Sequence, residues 1–104
     1  MPLKTFTLQF ETQGNGDIRD ITEAVAEQIF SSEIKNGTVT IFAPSATSAL
    51  TTIEYESGCV SDLQRLFDEI VDPNRHYEHN ARWHDGNGHS HVRAALLGPS
   101  LTVP

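Results

Sequence analysis

The chain has 104 residues, seven Lys or Arg against fourteen Asp or Glu, and a formal charge of −7. That balance counts against a nucleic-acid backbone or an anionic membrane surface as the main partner. Hydrophobic residues make up 38% of the chain, enough for one small domain read here as residues 1–104, and no apolar run approaches the ~20 residues of a membrane helix. The single cysteine, Cys59, excludes an internal disulfide and a cysteine-built zinc site. No basic region precedes an apolar stretch at the start, so the expected place is a reducing cytoplasm.

In chain order, residues 3–12 alternate Phe6, Leu8 and Phe10 with Thr5, Thr7 and Gln9, the period of a half-buried strand. GNGD at 14–17 breaks it. From Asp20 to about Ile34 the spacing of Ile21, Ala24, Val25 and Ile29 predicts a helix, with Asp20 and Glu23 as a variant capping box and Asn36-Gly37 closing it. Thr38–Ala43 alternates again and predicts a second strand. After Pro44 and a small polar run, Ala49–Tyr55 predicts a third strand. Ser61 can cap a second helix with the face Leu63, Leu66, Phe67, Ile70 and Val71, stopped by Asp72-Pro73. His91–Leu97 predicts a last strand, with Gly98-Pro99 turning the chain into Leu101-Thr102-Val103. Strand, helix, strand, strand, helix, loop, strand makes the fold class α+β, with a mostly antiparallel sheet and two helices.

The chemistry concentrates in one place. All five histidines, His76, His79, His84, His89 and His91, lie between positions 76 and 91, beside Tyr77, Trp83, Asp85 and Asn87. If His89 and His91 open a strand, positions i and i+2 share a face about 7 Å apart and can share one metal ion. His79 is the third candidate ligand, in a three-histidine set with an open coordination position, and Asp85 can orient a ligand imidazole. The competing reading is a His-x-His of two polar residues on a wet face, and His76 and His84 are read as solvated.

Weaker candidates lie outside and within that stretch. Glu54 shares a face with Glu56 and is a candidate general base, or an ordinary exposed carboxylate. Ser45, Thr47 and Ser48 can hold a phosphate, or can simply be small residues at a connection. Asp85-Gly86-Asn87-Gly88 lacks the spacing of an EF-hand and suits a tight turn, with Asn87 fixing backbone groups. Trp83 can stack on a ring ligand or cover the loop. Cys59 is read as structural.

The run TIEYESG at 52–58, Tyr77-x-His79, Asp85-Gly86-Asn87-Gly88-His89-Ser90-His91 and AALLGPSLTVP resembles the YjbQ-type family of small proteins, some labelled secondary thiamine-phosphate synthases. The resemblance implies an α+β subunit forming a homotrimer, with Asp85, Asn87, His89 and His91 lining a pocket with Tyr77 and His79, and with a metal or anion bound there. Many bacterial members carry a histidine where this chain has Ser45, and the family pattern continues beyond the equivalent of Pro104. On this resemblance that C-terminal segment is absent here.

The expected function is therefore a metal-assisted enzyme on a small-molecule substrate. His79, His89 and His91 would hold a divalent ion such as zinc, and Asp85, Asn87 and Glu54 would serve catalysis. Ser45, Thr47, Tyr77 and Trp83 would contact the ligand. In thiamine-phosphate synthase-type chemistry, a pyrimidine pyrophosphate is joined to a thiazole phosphate. The alternative is an oligomeric protein that binds a metal or anion without turnover.

Overall fold

The computed structural model describes residues 2–104 as an α+β chain with four helices and a two-stranded antiparallel sheet. The elements are α1 (Thr22–Ser32), β1 (Val39–Phe42), α2 (Ser57–Ile70), α3 (Glu78–Trp83), α4 (Gly88–Leu97) and β2 (Ser100–Val103). They divide into two units. One runs up to Val39 and takes in Val103 and Pro104; the other is Thr40–Thr102.

In the first unit, α1 forms where the periodicity predicts it. The Asp20 carboxylate accepts the Thr22 N–H at 3.0 Å and its hydroxyl at 2.6 Å, as a capping residue does. Those bonds favour the ionised carboxyl and lower its pKa. The helix ends one turn earlier than the Asn36-Gly37 signal, at Glu33, which takes the left-handed conformation at φ 63°. Ser32 is buried and holds the exit from the helix, donating to the Ile29 carbonyl and accepting the Ile34 N–H.

Residues 3–12 form no strand, although their alternation suits one. A strand exists by its ladder, and nothing among the described residues pairs with this segment, so Leu3, Phe6 and Phe10 stay exposed.

In the second unit, the Thr40 and Thr102 hydroxyls meet at 2.8 Å across the sheet. The Ala43 N–H donates to the Pro99 carbonyl just beyond it. The predicted strand 49–55 is likewise absent; its Leu50 N–H donates to the Gly98 carbonyl, but no ladder follows.

Helix α2 starts at Ser57, four residues before the Ser61 signal. The Glu56 carboxylate accepts the Gly58 and Cys59 N–H groups at 2.7 Å each, which caps the helix and lowers the pKa of Glu56. Leu63 and Phe67 are its half-buried face, and Val71, at its C-terminal end, is 4% exposed and the one buried apolar side chain among the described residues.

The largest correction concerns 91–97, which is helix α4 rather than a strand. Ala94, Ala95, Leu96 and Leu97 are strong helix formers, and Val92 is the only β-branched residue in that stretch. No helix among the described residues is long and apolar enough to cross a membrane.

Candidate functional site

The histidine-rich stretch folds as a helical hairpin, α3 and α4 joined by His84–Asn87. His84 and Gly86 both take positive φ, 59° and 70°, so the chain reverses within four residues. Asn80 on α3 fastens the second helix to the first by accepting the Gly88 N–H at 2.8 Å. That bond satisfies one of the N–H groups a helix start leaves without an intrahelical partner. Gly88 is buried against Tyr77 and Asn80, where a side chain would not fit: an added Cβ would stand 2.7 Å from Tyr77 Cβ.

Because α4 is a helix, His89 and His91 do not share a face. Two residues along a helix of 3.6 residues per turn are rotated by about 200°. His89 turns to Tyr77, with ring centroids 6.3 Å apart, and His91 turns to His79, with ring centroids 4.4 Å apart and planes inclined by 41°. His89 is 7% exposed. Burial first, and the Arg93 charge second, lower its pKa, favouring the neutral imidazole.

Asp85 Oδ1 lies 3.3 Å from His79 Nδ1, with the His79 side chain 29% exposed. Asn87 closes the loop. With its amide nitrogen turned to Asp85, it donates to the two carboxylate oxygens at 2.9 and 3.2 Å. Asp85 is thus held from one side and faces His79 from the other. The structure brings together His79, Asp85, Asn87 and His91, with Tyr77 and His89 as a neighbouring pair.

The other candidates stand apart from these contacts. Glu54 is exposed on the segment before α2. Ser45 and Thr47 are exposed and bond each other, hydroxyl to hydroxyl at 3.2 Å. Trp83 is exposed beside the Arg82 guanidinium. His76 pairs with Glu78 in solvent. The Tyr77 hydroxyl donates to the Asp72 carbonyl at 2.7 Å.

As arranged, His79, His89 and His91 do not fit a three-ligand metal centre. Among the described residues, no three His, Cys, Asp or Glu side chains are grouped as an ion requires. The reason is the helical rotation that separates His89 from His91.

Asn80 and Arg93, both structural to this hairpin, escape sequence reasoning. The signal for Asn80 was an Asn eight residues before a glycine, visible only once 88–97 is read as a helix.

The chain is thus of the α+β class, with a histidine pair between two short helices and an Asp-Gly-Asn-Gly turn joining them. The chain belongs to the UPF0047 protein YjbQ-like family, whose model matches residues 6–104. It is 38% identical over its full length to a UPF0047 protein of Methanothermobacter thermautotrophicus, covering 71% of that protein. Over 97 residues it is 32% identical to one from Archaeoglobus fulgidus, covering 93% of this chain and 73% of that protein. A YbjQ-like protein of unknown function from Sulfolobus solfataricus superposes with a TM-score of 0.78 at 35% identity, over 83% of this chain and 61% of that one. A YjbQ/UPF0047 family protein from Clostridium acetobutylicum gives the same TM-score at 25% identity, over 89% of this chain and 70% of that one. The chain therefore spans less than two thirds of the Sulfolobus structure.

Proposed function

We propose that the Asp85–His79–His91 constellation is the working site of a small-molecule enzyme acting on an anionic, phosphorylated substrate. The observation that carries this is the contact of the two imidazoles at 4.4 Å, with Asp85 3.3 Å from His79 Nδ1. A carboxylate at Nδ1 orients the ring and fixes its tautomer, which leaves Nε2 to take or give a proton. His91 supplies a second imidazole within reach of the same substrate group. The N-terminus of α4 presents the positive end of its dipole to this loop, which favours phosphate oxygens.

The chemistry implied by the YjbQ resemblance is of thiamine-phosphate synthase type. The thiazole nitrogen attacks the pyrimidine methylene carbon, and its C–O bond to pyrophosphate breaks as pyrophosphate leaves with the electron pair. His79 and His91 are suited to donate hydrogen bonds to the departing oxygens. Removing such a group typically costs 10²–10⁴-fold in rate. The test is thiamine-phosphate formation from the two substrates, with His79→Ala and His91→Ala each expected to lose at least about 100-fold. Wild-type levels in both variants would overturn the site, and no turnover by the unaltered chain would leave binding without turnover as the function.

A divalent ion such as zinc on His79, His89 and His91 belongs to this proposal only for a rearranged site, because His89 would have to leave the Tyr77 ring to join the other two. A homotrimer in the cytoplasm completes the reading, supported by the family resemblance and by the single cysteine.

A further inference from the structure

The contact between His79 and His91 depends on how α3 and α4 are fixed, and two consecutive carbonyls beyond α2 hold one helix each. Arg93 lies two residues past His91. Its Nε and Nη2 donate to the Val71 carbonyl at 3.2 and 2.8 Å, and Nη2 also donates to Asp68 Oδ1 at 3.1 Å. The guanidinium stands 5.6 Å from the Phe67 ring centre, and the Arg93 side chain is 11% exposed. Tyr77 lies two residues before His79, and its hydroxyl donates to the next carbonyl, that of Asp72. Val71 and Asp72 thus tie the first residues of the α3 entry and the second turn of α4 to one point.

We infer that Arg93 is a positioning residue of the histidine site, acting with Tyr77 as a two-point clamp on the carbonyls of Val71 and Asp72 that sets the spacing of His79 and His91. It rests on the reading of those two histidines as the working pair. The chemistry of the residue suits the task. The planar fork of an arginine can serve one carbonyl with two N–H groups and a carboxylate with the same guanidinium, which the point charge of a lysine cannot reproduce. Burial of the side chain removes competing water and makes these bonds directional anchors rather than a solvated ion pair. Asp68 is largely exposed, so the carbonyl is the anchor and the carboxylate an auxiliary.

The experiment is NMR on uniformly ¹³C,¹⁵N-labelled protein, following the ring-to-ring cross-peaks of His79 and His91 in the unaltered chain and in Arg93→Met, Arg93→Lys and Tyr77→Phe, each at a temperature where circular dichroism shows it folded. The expected result is a cross-peak weakened at least about threefold in Arg93→Met and Tyr77→Phe, and partly restored in Arg93→Lys. A lowered melting temperature with an unchanged cross-peak in Arg93→Met overturns the inference, because the residue then supports the fold without setting the site. If Arg93→Met does not fold, Tyr77→Phe, which deletes one oxygen, decides by the same criterion. The readout needs no substrate. Loss of the cross-peak in a chain without thiamine-phosphate activity would support the clamp and reject the activity, so the two failures are separable.

Discussion

Replacing Gly88 with alanine should test the hairpin most directly. Two effects oppose each other. Alanine is favoured over glycine inside a helix by about 0.8–1.0 kcal/mol, although less at the first helical residue, where Gly88 stands. Against it, the added Cβ would stand 2.7 Å from Tyr77 Cβ, 2.9 Å from Asn80 Oδ1 and 3.0 Å from Tyr77 Cγ. The Tyr77 atoms cannot give way cheaply: Cβ moves only with the backbone, and the hydroxyl is tied to the Asp72 carbonyl. Overpacking of that kind costs about 1–3 kcal/mol, so the clash wins by about 1–2 kcal/mol. For a domain of this size that lowers Tm by about 4–16 °C. Thermal and urea unfolding by circular dichroism would measure it. Gly37→Ala is the control, since its Cβ would meet only Ile34 Cγ2 at an ordinary 3.7 Å. A Gly88→Ala chain as stable as the unaltered one would refute the close packing of α3 on α4.

Stability should also fall on acidification through His89. Its pKa is lowered by burial and by Arg93, so the unfolded chain takes up the proton first; the stabilisation is fully present above the unfolded value near ~6.5 and is lost as pH drops below it toward the folded value. Urea midpoints between pH 7.5 and 5.0 should show a shallower decline in His89→Gln, and an equal decline would remove His89 as the cause. Light scattering after size exclusion should give three times 11.5 kDa; large apolar side chains such as Phe30, Leu66 and Leu96 are exposed and suited to burial between copies, and a monomer at micromolar concentration would reject the trimer. Elemental analysis of untagged protein tests the ion: any zinc held at this site should be lost in His79→Ala and His91→Ala and kept in His76→Ala, whereas zinc retained in both of the first two would take these residues out of the ligand set.

Periodicity made α1, β1 and α2 legible, because each carries its own signal: Ile21, Ala24 and Val25 on one helical face, Val39 and Ile41 alternating, Leu63 and Phe67 four apart. Boundaries were less legible where an unusual cap acts, as with the Glu56 carboxylate in place of Ser61. The alternation of 3–12 and 49–55 describes a tendency that only a partner strand can realise, and sequence periodicity does not reveal whether one is present. The histidine cluster was visible from distribution alone, and the structure sets Asp85 against His79. The pairing of the imidazoles was not visible. A His-x-His points both rings to one side on a strand and to opposite sides on a helix, so with Ala94–Leu97 helical His89 meets Tyr77 while His91 meets His79.

The spacing of contacts along the chain has a consequence for the order in which the molecule assembles. Asn80 and Gly88 are eight residues apart, Val71 and Arg93 are 22 apart, and Thr40 and Thr102 are 62 apart. Closing a loop of 62 rather than eight residues costs about 2 kcal/mol more in chain entropy. On that ground the histidine hairpin should form early from neighbouring residues, the arginine anchor next, and the pairing of the two strands last. In pulse-labelled hydrogen exchange the Gly88 amide should be protected before those of β1, so the chemistry-bearing part of the second unit is built before its sheet is closed.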